Sequence, residues 1–361
     1  MRGAKYALVY FGTAGVIILL LAGLLLLTLL GKYNETRKVD ILHATATFML
    51  FALGQSLLIA GVVAYVTVRK SYTPPPIPPM PPANVVALIP AYNEEVRVGS
   101  VVREARKYVD LVIVVDDGSS DNTAREAEEA GAVVIRHPQN MGKGAAVATL
   151  IKAALAAGAK YAVILDADGQ HDPADIPKLI QALKDGADHV VGNRFPTTKM
   201  PALRRFGYKA LALIHRVLVS NIKDPFSGYR AFTDKALQLL NQDFDPSYGV
   251  ETEINYHLRG VRTVEIPIEV RYHEFASKAN PVLQGLNIFW SIIWTFLTKS
   301  PVRTLVIGAV LLSISIVLLQ YVIDIFNLTR YIRLTYTAVT MLLEIIAAIL
   351  IALAIASIIK K

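Results

Sequence analysis

The stretch Tyr161–His171, YAVILDADGQH, decides how this chain folds. Its apolar run, Tyr161–Leu165, ends abruptly at Asp166, Ala167 and Asp168. Such a run predicts a buried parallel strand, and the residues after it then lie at the carboxyl edge of the sheet, where open α/β folds bind ligands. Two carboxylates one residue apart are costly to bring together, so the sequence predicts a cation between them.

Short β-branched runs recur on both sides of this stretch, and helical segments separate them. This alternation predicts a mostly parallel sheet covered by helices. The predicted strands are VVALIP, LVIVVDD, AVVIRH, YAVILDAD, HVVGNR and TVEIPIEVRYH. The predicted helices are Ser100–Tyr108, Thr123–Ala130, Ala145–Ala157 and Pro173–Lys184.

Four apolar segments flank this α/β region, and each is long enough to cross a bilayer. They are Tyr6–Leu30, Ala44–Val68, Leu305–Ile325 and Leu334–Ile359. Seven prolines between Pro74 and Pro82 predict a stiff spacer, and the aromatic segment from Pro281 predicts a helix in the membrane interface. The predicted organisation is a transmembrane hairpin at 1–71, a linker at 72–83, a catalytic domain at 84–280, an interfacial helix at 281–299 and a second hairpin at 300–361.

Basic residues beside the four predicted spans indicate which side the domain occupies. Positive charge favours the cytoplasmic side, so eight residues against five predict a cytoplasmic domain in an integral membrane protein. On the domain side are Arg2, Lys5, Arg69, Lys70, Lys299, Arg303, Lys360 and Lys361, and opposite them are Lys32, Arg37, Lys38, Arg330 and Arg333.

The composition excludes several classes of site and partner. Hydrophobic residues make up 53% of the chain, and the absence of cysteine rules out disulfides, thiolate metal sites and cysteine nucleophiles. The net charge is +8, and the charged residues lie mostly in the middle of the chain and at the membrane borders. That placement favours anionic lipid head groups as partners over nucleic acid.

Four polar clusters follow predicted strands. Pro90–Glu95 offers an asparagine and glutamates for a base or ribose, although an acidic helix entry would explain it equally well. Asp116–Asp121 begins with a carboxylate pair on a strand tip. Asn140–Gly144 precedes an alanine-rich helix, so its amides and Lys143 suit phosphate. Asp166, Asp168 and Gln170 offer only oxygen ligands, which favours Mg²⁺ or Mn²⁺ over zinc.

In this order, the motifs PAYNE, VDDGSSDNT, NMGKG and DADGQ resemble the family 2 glycosyltransferases of GT-A fold, and most closely the dolichyl-phosphate mannose and glucose synthases. The resemblance covers about 84–285. It implies a nucleotide sugar, GDP- or UDP-linked, as donor and a polyprenyl or dolichyl phosphate as acceptor. It also implies a nucleotide pocket and a metal site. The nucleotide pocket would be formed by Pro90, Tyr92, Asn93, Glu94, Asp116, Asp117, Gly142, Lys143 and Asp166; the metal ligands would be Asp166, Asp168 and Gln170.

Three later motifs extend the resemblance. Arg194 in GNRF is expected near the diphosphate or the acceptor phosphate, and Asp224 and Arg230 in DPFSGYR are expected on the acceptor side. Lys278 follows Ser277 in a segment similar to the family's mobile loop. With Asp168, these four residues are the predicted catalytic set, and Asp224 is expected to orient the acceptor or bind sugar hydroxyls.

The predicted reaction needs no strong base, because a phosphate monoester has a second pKa of about 6 and is already ionised near neutral pH. It requires charge neutralisation and alignment, followed by one inverting displacement at the anomeric carbon. Two other functions stay open. One is a processive polysaccharide synthase, although its Q-x-x-R-W motif is absent; the other is a lipid transporter or flippase with a nucleotide-binding domain.

Two further features each allow two interpretations. The sequence does not predict the oligomeric state. Arg205, Lys209 and Arg216 share about 40° of a helical face, which fits either a solvated basic face or a helix resting on lipid. Glu344 lies within a predicted span, where it could relay protons or contact a tyrosine or threonine of another helix.

Overall fold

The computed structural model describes residues 8–36, 41–68, 75–196, 202–244, 249–270, 281–329 and 334–359. The chain forms two compact units. Unit 1 comprises Met1–Lys70 and Phe296–Lys361, and unit 2 comprises Ser71–Thr295.

Unit 2 is built on a seven-stranded sheet in the order β3-β2-β1-β4-β6-β5-β7. The strands are β1 Val85–Ala91, β2 Leu111–Asp116, β3 Val133–Arg136, β4 Tyr161–Ile164, β5 His189–Asn193, β6 Arg230–Thr233 and β7 Thr263–Pro267. Strands β1 to β4 pair in parallel, as do β5 and β7. The predicted mostly parallel α/β sheet is therefore confirmed. Only β6, which runs antiparallel between β4 and β5, has no counterpart in the sequence prediction.

Helices cover both faces of this sheet. They are α3 Val98–Ala105, α4 Thr123–Glu129, α5 Lys143–Ala156, α6 Ile176–Lys184, α8 Asp234–Leu239 and α9 Val250–His257. Two more helices, α7 Ala202–Leu218 and α10 Pro281–Thr298, complete the series. A short 3-10 turn, Pro173–Asp175, precedes α6. The last of these helices is the one predicted to lie in the membrane interface, and that role stays a prediction.

The alternation of side chains along β1 divides the interior into two cores. Ala87 and Ile89 pack with apolar residues of α3, α4 and α6 on one face. Val86 and Leu88 pack with α5, α8 and α9 on the other. Because both faces are buried, the strands are continuously apolar up to their carboxyl ends, and polar residues begin only where the strands end.

Unit 1 contains α1 Thr13–Thr36, preceded by a π-helical turn Leu8–Gly12, together with α2 Ile41–Val68, α11 Pro301–Thr329 and α12 Leu334–Ile359. Among the described residues, four helices are long and apolar enough to cross a membrane: Tyr10–Tyr33, Ala46–Ala64, Pro301–Thr329 and Val339–Ile359.

Contacts between small and polar residues join these long helices. Gly15 of α1 lies close to Gly54 of α2, and a Cβ added at Gly15 would come within 2.8 Å of the Gly54 carbonyl oxygen. In the second hairpin, Ser315 Oγ donates to Glu344 Oε1 at 3.3 Å. The described partner of Glu344 is thus a serine rather than the expected tyrosine or threonine.

Candidate active site

The strand order reverses next to β1, which has β2 on one side and β4 on the other. The chain runs outward from β1 through β2 to β3 and then crosses back to form β4 on the other side of β1. Open α/β sheets bind ligands in the crevice at such a switch point. This topology brings the first, second and fourth polar clusters of the sequence to one edge.

The loop after β1 is fastened to the loop after β2. Asn93 adopts a left-handed backbone conformation with φ of 54°, and its backbone N–H donates to Ser119 Oγ at 2.9 Å. Its side-chain oxygen accepts from the Ser120 N–H, also at 2.9 Å. Pro90 is the next-to-last residue of β1, whereas Tyr92 is 47% exposed beyond it. Asn93 therefore shapes the loop, while the side chain of Tyr92 is partly exposed to solvent.

Glu94 connects this loop electrostatically to the DADGQ segment. Burial raises the pKa of Glu94, and the ion pair with Arg97 at 3.2 Å opposes that rise. The negative charges of Asp168 and Asp121 raise the pKa further. Glu94, from the first cluster, is thus close enough to Asp168, from the fourth, for the Asp168 charge to disfavour its ionised form.

The two aspartates at the tip of β2 make different contacts. Asp116 is fully buried and accepts from the Ser119 N–H at 3.0 Å. Its other oxygen lies 3.1 Å from Arg136 Nε, an ion pair without hydrogen-bond geometry. Asp116 is therefore placed beneath the loop that follows β2, next to the crevice.

Asp117 faces the Asn140–Gly144 loop. It accepts from the N–H groups of Met141 and Gly142 at 2.9 and 2.7 Å, and His137 Nδ1 lies 2.6 Å from its carboxylate. Both of its oxygens are thus engaged by the protein. Asp117 therefore anchors the Asn140–Gly144 loop, and its predicted contact with the nucleotide stays a prediction.

Lys143 begins α5, directly after Gly142, whose φ of 93° suits glycine. Its Nζ lies 2.8 Å from Asp166 Oδ1 and 3.0 Å from Glu251 Oε1. Burial alone would lower the pKa of Lys143, but these two carboxylates outweigh it and raise the pKa. An ammonium therefore sits beside the carboxylate that the sequence predicts as a metal ligand.

Asp166 stays ionised in this setting. Burial would raise its pKa, but the positive charge of Lys143 outweighs burial and the pKa falls to about 2. The Asp166 N–H donates to His171 Nδ1 at 3.1 Å, which fixes the turn after the strand. A Cβ added at Gly228 would lie 2.7 Å from Asp166 Oδ2, so only glycine lets the DPFSG loop approach this carboxylate.

Asp168 and Gln170 complete the segment. Asp168 Oδ1 accepts from the Gln170 N–H at 3.0 Å, and both side chains are half-buried. No group of three His, Cys, Asp or Glu side chains suited to a metal ion occurs in the described part of the chain. The two carboxylates and the amide oxygen of Gln170 nevertheless suit Mg²⁺ or Mn²⁺, because such ions commonly take one or two protein carboxylates and complete their shell with substrate phosphates.

Arg194 and Asp224 form a bidentate ion pair. Arg194 Nε and one terminal nitrogen donate to the two carboxylate oxygens at 2.8 and 2.7 Å, and the Arg194 N–H donates to the same group at 2.9 Å. Asp224 is fully buried, and its own N–H donates to Glu265 at 2.9 Å. Asp224 therefore holds Arg194 in place, and its expected contact with the acceptor or with sugar hydroxyls stays a prediction.

Arg230 is buried among protein acceptors. It is 1% exposed and donates to the carbonyls of Ser227 and Pro225 at 2.8 and 2.7 Å, and to Asn255 Oδ1 at 2.6 Å. Its guanidinium therefore supports the DPFSG loop from inside, and its expected place on the acceptor side stays a prediction. Lys278 and Ser277 lie outside the described residues.

Glu251 and Glu265 belong to the site but were not predicted from the sequence. Glu251 follows Gly249, whose φ is 123°, and two acidic residues in the first turn of α9 were the available signal. Glu265 lies in β7, where its carboxylate accepts from the N–H groups of Lys223 and Asp224. An isolated glutamate in a predicted strand gives no signal for such a role.

Comparisons with known proteins identify the family. The family model for glycosyl transferase family 2 matches residues 86–240. A UDP-N-acetylglucosamine–dolichyl-phosphate N-acetylglucosaminyltransferase of Methanococcus voltae is 34% identical, covering 58% of this chain and 94% of the relative. An undecaprenyl-phosphate mannosyltransferase of Micrococcus luteus is 32% identical, covering 51% and 82%. A solved glucosyl-3-phosphoglycerate synthase from Mycobacterium tuberculosis has a TM-score of 0.47 at 22% identity, covering 66% of this chain and 83% of that chain.

The relatives match over most of their own length at more than 30% identity. The family model matches within unit 2, which carries the switch-point cluster. The four ordered motifs that first indicated the family fall within it. The chain therefore belongs to glycosyltransferase family 2 and is a glycosyltransferase.

Proposed function

We propose that this enzyme transfers a sugar from a nucleotide sugar to a polyprenyl phosphate, such as dolichyl phosphate, with inversion at the anomeric carbon. The observation that carries the proposal is the cluster of Lys143, Asp166 and Asp168 at the switch point of the sheet. Relatives named for dolichyl-phosphate and undecaprenyl-phosphate transfer support the acceptor. The donor is GDP- or UDP-linked, and mannose or glucose is the sugar that the motifs favour.

Asp166, Asp168 and Gln170 would hold a divalent cation, Mg²⁺ or Mn²⁺, at the nucleotide diphosphate. When bound, such an ion neutralises charge that develops on the departing diphosphate. Lys143 supplies a second positive charge on the same side of the crevice. Asp117 holds the loop before Lys143 in shape, so that the lysine and the nearby amides are directed to one place.

The acceptor phosphate would be met by Arg194. Asp224 fixes the guanidinium through two hydrogen bonds, so the cation is oriented before the substrate arrives. Because the phosphate monoester is ionised near pH 7, with a second pKa of about 6, it attacks without a base. Lys278 is a further proposed cation, in keeping with its place in the sequence.

The membrane setting follows from the four candidate spans. We assign the catalytic domain to the cytoplasmic side, because basic residues are more numerous beside the spans on that side. An acceptor with a polyprenyl tail lies in the same bilayer as the spans, so enzyme and acceptor meet in two dimensions.

The test is a transfer assay on the purified full-length chain in nanodiscs, with a panel of UDP- and GDP-sugars, polyprenyl phosphate, and Mg²⁺ or Mn²⁺. We expect one donor to give a lipid-linked sugar and transfer to stop when EDTA removes the cation. No product with any donor in the panel would contradict the proposal.

Asp168→Asn isolates the proposed cation site. It removes one carboxylate charge but keeps the size of the side chain, so we expect transfer to fall by about 100-fold or more. The matched control is Asp185→Asn, an exposed aspartate at the end of α6, which should keep full activity. Full activity in a folded Asp168→Asn chain would refute the metal assignment.

A further inference from the structure

Glu265 lies in β7, the strand at one edge of the sheet. Its neighbours Val264 and Ile266 pack against the core beneath α3, α4 and α6. Because side chains alternate along a strand, Glu265 points to the opposite face. Strand β5 runs parallel beside β7 and ends at Asn193, directly before Arg194. Glu265 is therefore a carboxylate on the strand that adjoins the Arg194 segment.

The Glu265 carboxylate accepts hydrogen bonds from the residues that begin the DPFSG loop. Oε1 accepts from the N–H groups of Lys223 and Asp224 at 3.0 and 2.9 Å, and Oε2 accepts from the same Lys223 N–H at 3.1 Å. Oε1 also accepts from Asn193 Nδ2 at 3.4 Å. One side chain thus joins the end of β5 to a loop that is distant from it in sequence.

Asp224 transmits this constraint to Arg194. The buried carboxylate of Asp224 accepts from the backbone N–H, Nε and one terminal nitrogen of Arg194, at 2.7 to 2.9 Å. Glu265 holds the backbone of Asp224, and the side chain of Asp224 holds the guanidinium. The orientation of the guanidinium therefore depends on where the loop begins.

The middle of the loop is held separately, through its carbonyl groups. Arg230 donates to the carbonyls of Ser227 and Pro225, and Asn255 Nδ2 donates to the Pro225 carbonyl at 2.9 Å. Among the described residues, Glu265 is the side chain that accepts from the N–H groups at the start of the loop. Loss of its carboxylate would therefore free the start of the loop and leave the middle in place.

We propose that Glu265 is a positioning residue for binding of the acceptor phosphate. It fixes the Arg194 guanidinium in the orientation that meets the phosphate monoester, and it acts through Asp224 rather than by touching the acceptor. An orientation that is fixed in advance reduces the entropy lost on binding. The inference rests on the proposed function, in which Arg194 meets the acceptor, and it assigns a role to a residue outside the motifs that resemble the family.

Hydrogen bonding, and not negative charge, carries this role. Oε1 alone contacts all three donor groups, those of Lys223, Asp224 and Asn193. One neutral oxygen in the same place can therefore keep these contacts. Glu265→Gln supplies such an oxygen, whereas Glu265→Leu supplies no acceptor. If the charge near Arg194 were decisive, both variants would lose the same affinity for the acceptor.

The test is a titration of the purified full-length chain in nanodiscs with farnesyl phosphate, a short-chain polyprenyl phosphate, followed by microscale thermophoresis. Glu265→Leu should bind this probe about 10-fold more weakly, because it leaves amide donors without an acceptor. Glu265→Gln should stay within about threefold of the parent. The matched control is Glu269→Leu, which replaces an exposed glutamate beyond the end of β7 and should bind as the parent does.

Transfer kinetics separate positioning from a general effect on the fold. In Glu265→Leu, the KM for polyprenyl phosphate should rise about 10-fold while the KM for the donor stays within about twofold, because the donor groups lie at the ends of other strands. Should Glu265→Leu fail to fold, Glu265→Thr suits a strand and leaves room for water at the freed amides. It should show the same difference between the two KM values.

Each contrary outcome has a distinct meaning. Equal affinity of the parent and Glu265→Leu for farnesyl phosphate would overturn the inference and leave the proposed function intact. Equal losses in Glu265→Leu and Glu265→Gln, or equal rises in both KM values, would also overturn it, in favour of a charge effect or a general structural role. If the parent does not bind farnesyl phosphate, the proposed acceptor is wrong and the inference fails with it.

Discussion

Lys143 shares its ammonium between two carboxylates, Asp166 at 2.8 Å and Glu251 at 3.0 Å. A divalent cation at Asp166 would compete with this ammonium, because both need the same oxygen. Glu251 gives the lysine an alternative partner, so Lys143 can leave Asp166 without losing its counter-ion. The charge at position 251 therefore controls how readily Asp166 becomes available, although Glu251 itself need not touch the cation.

We predict opposite effects of two substitutions on Mn²⁺ affinity. Glu251→Gln leaves Asp166 as the sole carboxylate for Lys143, so Mn²⁺ should bind about 10-fold more weakly. Lys143→Met removes the competing ammonium, so Mn²⁺ should bind about 10-fold more tightly without nucleotide. Transfer should fall in both variants. Electron paramagnetic resonance titration of free Mn²⁺ measures the affinity.

The control for this pair is Glu128→Gln, an exposed glutamate of α4. Its Mn²⁺ affinity should equal that of the parent chain. A shift in the same direction for Glu251→Gln and Lys143→Met would contradict competition between the lysine and the cation.

Residue types and spacing predicted this cluster, but they did not predict the protein partners of each member. Asp117 and Arg230 belong to motifs that suggest ligand contact, yet Asp117 accepts two loop N–H groups and Arg230 donates to two carbonyls of its own loop. Whether a polar side chain faces a ligand or the protein depends on backbone groups brought near by the fold. The sequence shows the side chain but not these partners.

At the scale of elements, apolar runs predicted six of the seven strands. The missed strand, β6, is four residues long and follows directly on the DPFSGY loop, so its sequence, RAFT, has no run long enough to stand out. The switch point between β1 and β4 could not be predicted from the sequence either, because strand order depends on pairing between distant segments. The carboxyl-edge position of the clusters could still be predicted, since it follows from strand direction alone.

The approach of α1 to α2 gives a prediction about packing. A Cβ at Gly15 would lie 2.8 Å from both the Gly54 carbonyl oxygen and the Leu58 nitrogen, and backbone atoms cannot move aside. Gly15→Val should therefore lower the free energy of unfolding by about 1–3 kcal/mol. Denaturant titration of the purified chain in detergent measures the change.

Gly23 provides the matched control, because nothing lies within 4 Å of a Cβ built there. Gly23→Val changes the same residue type in the same helix, without the clash. It should unfold at the same denaturant concentration as the parent. Equal loss in the two variants would mean that the helix itself, and not its contact with α2, is sensitive to valine.

At the scale of the whole molecule, the two units differ in what their sequences reveal. Length and hydropathy alone indicate the four long helices of unit 1. Unit 2 buries polar side chains whose burial cannot be predicted from composition. His189 and His215, for example, are both fully buried. Their burial has a consequence for stability, because a histidine kept neutral inside a protein resists protonation only while the protein stays folded.

We predict that acid destabilises unit 2. Burial lowers the pKa of His215 from 6.5 to about 3, with Arg230 adding repulsion, and burial with Arg230 also lowers the pKa of His189. Below the ordinary value, the unfolded chain binds protons that the folded one excludes, so stability falls as the pH falls. Each histidine should cost roughly 1.4 kcal/mol per pH unit below 6.5, and for His215 this continues to about pH 3.

Thermal unfolding of the full chain in nanodiscs at pH 7.5 and pH about 5.5, followed by near-ultraviolet circular dichroism, measures this effect at one unit below the ordinary histidine pKa. His215→Gln keeps an acceptor for Asn255 but cannot titrate, so the variant should be less stable at the higher pH and lose less on acidification. An equal loss in parent and variant would show that acid acts elsewhere than at His215. A loss in the variant of about half that of the parent would assign one share of the acid sensitivity to His215 and leave the other share to His189.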